Sequence, residues 1–177
     1  SILSRAEDNI KEQIKYQKKI IKLLECNNSK SKNYAKNFRE CHKEKNDFAA
    51  GLLDSDMYEE AKTIYESLIV NENKQNMKKA DKVAARYGLY SYYYNIGNYN
   101  KAQEYLFDAL SYFNDSEKKY NEMYFFYMQS LSTVFALNGD RNASIKNYNK
   151  LIDDIKESYG DYSTQLISPL SNVIKSY

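Results

Sequence analysis

Apolar residues recur every three or four positions along most of this chain, and short polar breaks divide the pattern into segments of helical length. Ala85, Leu89, Tyr93 and Ile96 form one such stripe, and Ala102, Leu106, Ala109 and Phe113 form the next. Gly97 lies between them. Glycine tolerates the left-handed conformation that closes a helix, so Gly97 reads as the turn and Asn98 as the cap of the following helix. Gly139 and Asp140 occupy the same places further on. Asp56, with Glu59 three residues later, has the spacing of a capping box, and Asn114 with Glu117 has it again. The tyrosine-rich run "YSYYYN" could pass for a strand, but the helical period crosses it unbroken. Tyr93 and Tyr99 fall in core columns, while Tyr90, Tyr92 and Tyr94 diverge around the helix.

The pattern repeats. Phe48, Leu89 and Leu131 stand in register, followed by Leu52, Tyr93 and Phe135. Tyr58, Tyr99 and Arg141 come next, then Ala61, Ala102 and Ser144, and finally Tyr65, Leu106 and Tyr148. The offset is 41 and then 42 residues, and Val173 and Tyr177 begin a further copy. Such a period marks a stack of supersecondary units. The predicted map has a leading helix over 2–26 and a polar loop over 27–33, so residues 1–33 precede the repeats. Helix pairs follow at 34–55 with 57–72, at 77–96 with 99–114 and at 117–138 with 141–158. An incomplete unit at 163–177 closes the chain, giving roughly three and a half hairpins over 34–177.

Composition narrows the class. Only 5 Gly and 1 Pro occur in 177 residues, too few for the turns of an all-β fold. The net charge of +2 gives no footprint for nucleic acid as a whole, although residues 1–50 hold 12 Lys+Arg against 7 Asp+Glu. Lys11, Lys15, Lys18 and Lys22 share one face of the leading helix, which an RNA-binding repeat could use. The interleaved Ile10, Ile14, Ile21 and Leu24 read instead as an amphipathic helix packed on the first repeat. Cys26 and Cys41 match no zinc spacing and are expected to be two ordinary thiols in a reducing, intracellular and cytoplasmic setting. No apolar run approaches the ~20 residues of a membrane span. The chain starts without Met and is expected to be a piece of a longer protein.

The large apolar, small, aromatic, turn, aromatic and alanine columns carried by Leu89, Tyr93, Gly97, Tyr99, Ala102 and Ala109 resemble the tetratricopeptide repeat. The longer period, with "YGDYSTQLISPLSNVI" at 159–174, resembles the kinesin light chain-like subclass. Tyr90 stands where the family has a small residue, Arg141 replaces an aromatic, and the terminal proline is missing. The resemblance implies an all-α, right-handed superhelical array of antiparallel helix pairs, with the first helix of each pair lining a concave surface. The residues it places there are Lys43, Asn46 and Ala50, then Tyr87, Ser91 and Tyr94, then Gln129 and Thr133, then Ser171, Asn172 and Lys175. Rings and uncharged amides of this kind suit a peptide or helix of a partner protein. The Lys/Arg/Asn clamp that some family members close on acidic chaperone tails is missing, since its positions read Asn46, Ala50, Gly88, Phe126 and Ser130.

Nothing in the chain has the form of catalytic machinery. There is no phosphate-binding glycine loop, no metal-ligand cluster and no nucleophile elbow, and no cofactor is expected. The one histidine, His42, lies in "ECHKEKND" and reads as exposed helix surface. Asp153 and Asp154 diverge around a helix and read as a solvated face. The expectation is a non-enzymatic interaction scaffold. The alternative is an assembly element that joins subunits through stacking surfaces. The last helix, with Leu166, Leu170, Val173 and Ile174, has no second helix to cover it and could self-associate.

Overall fold

The computed structural model describes residues 2–24, 26, 28, 30, 32–72, 77–118 and 121–176. Tyr177 and, within the expected 27–33 loop, residues 27, 29 and 31 lie outside the described residues. Every regular element among the described residues is a helix: α1 (Ile2–Leu23), α2 (Lys32–Leu53), α3 (Tyr58–Asn71), α4 (Lys79–Asn95), α5 (Tyr99–Leu110), the short α6 (Asp115–Lys118), α7 (Glu122–Leu137), α8 (Arg141–Tyr159) and α9 (Ile167–Ser176). A 3-10 turn at Thr164–Leu166 leads into α9. The chain forms two compact units, Ser1–Tyr92 and Tyr93–Tyr177.

In the first unit α1 packs on α2 and α2 on α3. Ile21 is buried on α1, whereas Lys11, Lys15, Lys18 and Lys22 are exposed, so this helix has the amphipathic division its sequence predicts. Lys18 Nζ lies 5.8 Å from the centre of the Phe48 ring on α2. Phe48, Ala49, Leu52, Ala61, Tyr65 and Leu68 fill the core between α2 and α3. Tyr65 then lies flat against α4 at Gly88. A Cβ at that position would come within 2.2 Å of the ring, so only glycine lets the two helices approach this closely.

Three expectations fail in this unit. Cys26 and Cys41 are joined in a disulfide, their Cα atoms 5.3 Å apart, and are not free thiols. The chain after α1 folds back on α2, which brings together two cysteines 15 residues apart. His42 is 3% exposed, not a surface histidine. Its ring lies 4.1 Å from that of Phe38, and Nδ1 donates to the Phe38 carbonyl oxygen at 3.1 Å. Burial holds the imidazole below its usual pKa, and Lys45 pushes the same way. Nor does Asp56 cap α3. It adopts the left-handed conformation itself, at φ 59°, and the N-cap position falls to Met57, whose side chain makes no capping hydrogen bond.

The second unit is built on α5, α7, α8 and α9. Asn98 caps α5 by accepting from the Lys101 N–H at 3.2 Å, and Asp140 caps α8 by accepting from the Ala143 N–H at 2.9 Å. Asn114 and Glu117 bond each other's backbone N–H groups reciprocally, at 3.0 and 3.1 Å, as a capping box should. That box opens only the four-residue α6. A second cap, Asn121, accepts from Tyr124 N–H and starts α7 five residues later than expected. Ala102, Leu106, Ala109 and Phe113 are buried as predicted. The tyrosines divide differently from their columns. Tyr90 and Tyr92 of α4 are buried, Tyr93 is half-buried and stacked on Tyr105 at 5.5 Å, and Ile96 is exposed at the turn.

Candidate functional site

The second unit holds an open cleft of about 250 Å³ between α7, α8 and the start of α9. Its position follows from the helix spacing. Phe125 on α7 and Leu151 and Ile155 on α8 point into the α7–α8 seam, and Pro169 in the first turn of α9 closes the far side. The proline fits there because the first turn of a helix does not use its N–H. Phe126 forms a wall of the cleft and remains 52% exposed. Glu122, Gln129 and Gln165 supply the polar rim.

Side-chain hydrogen bonds fix the helices around this opening. Asn147 Nδ2 donates both to the Met128 carbonyl oxygen and to Ser132 Oγ, at 2.8 Å each, across the α7–α8 seam. Tyr124 Oη donates to Asp154 at 2.9 Å. Asp154 is therefore half-buried and engaged, and only Asp153 of the acidic pair lies on a solvated face. Gln129 Nε2 donates to Ser168 Oγ at 3.0 Å, holding α9 to α7 and leaving its own Oε1 at the rim.

The positions expected to line a binding surface have varied surroundings. Gln129 lies at the cleft. Thr133, one turn further along α7, is half-buried and bonded to the Gln129 carbonyl oxygen and to Tyr148 Oη, both at 3.2 Å. On α9, Ser171 and Lys175 are exposed and Asn172 is half-buried. Tyr94 is half-buried, its ring edge-on to that of Tyr99 at 5.9 Å. In the first unit, Tyr87 is half-buried beside the Tyr90 ring at 4.9 Å, and Ser91 is half-buried one turn later. Lys43 is exposed on α2, while Asn46 turns partly inward, with its Oδ1 buried and unpartnered. Of the clamp positions, Gly88 and Ser130 are buried and present no side chain to a ligand.

Sequence reasoning missed Glu122 and Gln165, and it placed Phe126 only among the positions of the missing clamp. Phe126 carried a usable signal: a phenylalanine one position beyond the buried Phe125 stripe, where a core residue cannot point inward. Among the described residues, no group of His, Cys, Asp and Glu is arranged to hold a metal ion. No helix among them is long and apolar enough to cross a membrane.

No protein-family profile matches the chain, and no curated protein does. Solved structures do match. The nearly identical TPR-like repeats of a Podosopora anserina protein assigned as a kinesin light chain superpose with a TM-score of 0.78 at 11% identity, covering 99% of this chain and 82% of that one. BtubC (BKLC) from P. vanneervenii superposes with a TM-score of 0.71 at 12% identity, covering 100% of this chain and 66% of its own. The fold is thus all-α and TPR-like, of the solenoid type found in kinesin light chain repeats. At these identities the likeness concerns the fold alone.

Proposed function

We propose that this chain is a non-enzymatic scaffold that binds a segment of a partner protein along the exposed surfaces of its first helices. The observation that carries the reading is the α7–α8–α9 cleft, an apolar floor open to solvent and rimmed by amide side chains. Paired helices fixed by side-chain hydrogen bonds present such a surface without reorganising, which lowers the ordering cost of binding. Within the second unit Tyr94 and Thr133 would add contacts on α4 and α7, and Ser171, Asn172 and Lys175 on α9, while Tyr87 and Ser91 belong to a separate candidate surface of the first unit.

A random-peptide selection tests this. Peptides should be recovered, and a photo-crosslinking benzophenylalanine placed at Phe126 should attach to them. Recovery of no peptide, or binding without cross-linking from that position, would overturn the assignment.

One observation favours assembly as a second reading. Ile167, Leu170 and Ile174 lie along one exposed side of α9, with Ile174 71% exposed, and apolar stripes of this kind mark contact surfaces. Light scattering should then report a concentration-dependent dimer that Ile174→Glu abolishes. A monomer at high concentration would refute it.

A further inference from the structure

Resting on the scaffold reading, we propose that the α7–α8–α9 cleft selects a partner segment in which an aliphatic side chain is followed or preceded closely by lysine or arginine. Size comes first. Pockets that enclose a whole small molecule run to roughly 300–1,000 Å³, and this cleft, at about 250 Å³, is smaller. It matches one side chain delivered by a longer chain that continues outside. The floor of Phe125, Leu151, Ile155 and Pro169 has no polar side-chain atom, so a polar or charged side chain would lose its hydration there with nothing in return.

The rim reads a peptide backbone. Gln129 commits one N–H of its amide to Ser168 and keeps Oε1 as an acceptor. Gln165 has the converse arrangement: its Oε1 accepts from Ser163 Oγ at 3.4 Å, and its NH₂ group remains a donor. One acceptor and one donor beside an apolar slot complement the N–H and C=O of an extended segment.

Charge supplies the selectivity. Glu122 is the one charged residue lining the cleft, and among the described residues it has no ion-pair partner. A cation beside the buried aliphatic group would meet this carboxylate, whereas an acidic neighbour would be repelled. Glu122 also lies in the first turn of α7, where a negative charge complements the helix dipole. A purely structural role of that kind would leave peptide preference untouched, and this separates the two accounts.

The test is a random heptapeptide selection run in parallel on the full chain and on its Glu122→Lys variant, with far-UV circular dichroism to confirm that both are folded. The wild-type chain should enrich Leu, Ile or Val with Lys or Arg within two positions. Glu122→Lys should keep the aliphatic preference and shift the flanking preference to Asp or Glu, with about a tenfold change in relative affinity for matched basic and acidic peptides, the scale of a close charge pair. Enriched peptides with no charge bias, or a bias that Glu122→Lys leaves unchanged, would overturn the proposal while the scaffold reading stood. Enrichment of nothing by either protein would remove both.

Discussion

The two units solve the same packing problem with different chemistry. In Ser1–Tyr92 helices are tied by a disulfide between Cys26 and Cys41, by a buried ion pair between Glu72 and Arg86, and by a tyrosine ring pressed on glycine. In Tyr93–Tyr177 the work falls to side-chain caps and to aromatic contacts such as Phe113 with Tyr124 at 5.8 Å and Phe125 with Tyr159 at 6.0 Å. Apolar periodicity specifies a helix pair in both. What it leaves open is how each pair is fastened, and fastenings of different kinds fail under different conditions.

The largest expected effect comes from the ion pair. Arg86 Nη1 and Nη2 donate to the two Glu72 carboxylate oxygens at 2.6 and 2.9 Å, with both side chains buried. Arg86→Met would strand a buried carboxylate at the C-terminal end of α3, where the helix dipole already disfavours it. Removal of one partner of such a pair costs about 3–5 kcal/mol, while an apolar replacement of both is often neutral. Arg86→Met should therefore lower the urea midpoint sharply, and Arg86→Met with Glu72→Leu should recover most of the loss. A double variant as unstable as the single one would show that the pair has a role beyond compensating its own burial.

The covalent tie comes next. Closing a loop of about 15 residues stabilises by about 3 kcal/mol through the unfolded chain. Dithiothreitol, or Cys26→Ser with Cys41→Ser, should reduce protection of α1 and α2 in hydrogen exchange and leave α7 and α8 unchanged. Equal loss in both units would mean that they unfold as one. A titration of free thiols gives the complementary check, since the native oxidised chain should show none.

Acidification offers a smaller contrast. His42 is the sole histidine and belongs to the first unit. Burial lowers its pKa from 6.5, with Lys45 acting the same way and the Phe38 hydrogen bond and Asp81 opposing. The unfolded chain therefore takes up a proton first as the pH falls. The stabilisation is complete above about 6.5 and is lost as the pH drops below that value toward the folded one. Hydrogen exchange from pH 7.5 to 5 should show α2 weakening while α8 holds, and His42→Leu should flatten the dependence. An unchanged slope in that variant would assign the effect to carboxylates.

Much of this was legible in the residues, and the parts that were not have physical reasons. Helix ends near Gly97 and Gly139 fell where expected because glycine and a following Asn or Asp state the turn twice. His42 was obscured by its charged neighbours, although Phe38, His42 and Ala49 lie on one stripe of α2, so that face carried the burial signal. The disulfide could not be read, since two cysteines on either side of a loop fix no pairing until the loop's path is known. Glu72 sits at the C-cap of α3 and Arg86 on α4, 14 residues apart, and nothing local announces that two charges will be buried together. Of the residues lining the cleft, the sequence named Gln129 as a groove residue, from its place on a first helix, and Phe126 as a clamp position. Gln165 reaches the same opening as Glu122 only because the 3-10 turn before α9 packs against α8.

The smallest effect, with the opposite sign, lies in the turns. All three hairpins close with one backbone geometry. Met57, Asn98 and Asp140 N–H groups donate to the carbonyl oxygens of Leu52, Tyr93 and Phe135 at 2.9, 2.8 and 2.9 Å. The residues before them have φ of 59° at Asp56, 75° at Gly97 and 82° at Gly139. Met57 itself, at φ −85° and ψ 58°, is close to Asn98 at −87° and 74° and to Asp140 at −87° and 73°. The first turn thus already has the shape of a capped one and lacks only the side chain. Met57→Asp should supply an acceptor to the first-turn N–H groups of α3 and stabilise by about 1 kcal/mol, the usual worth of an N-cap. The converse change, Asp140→Ala, should cost a similar amount in the second unit. A rise in melting temperature for Met57→Asp would show that the missing cap is a local deficit that a single residue repairs. A fall would mean that the half-buried Met57 side chain contributes more by packing than a cap would return, and the turns would then be alike in backbone only.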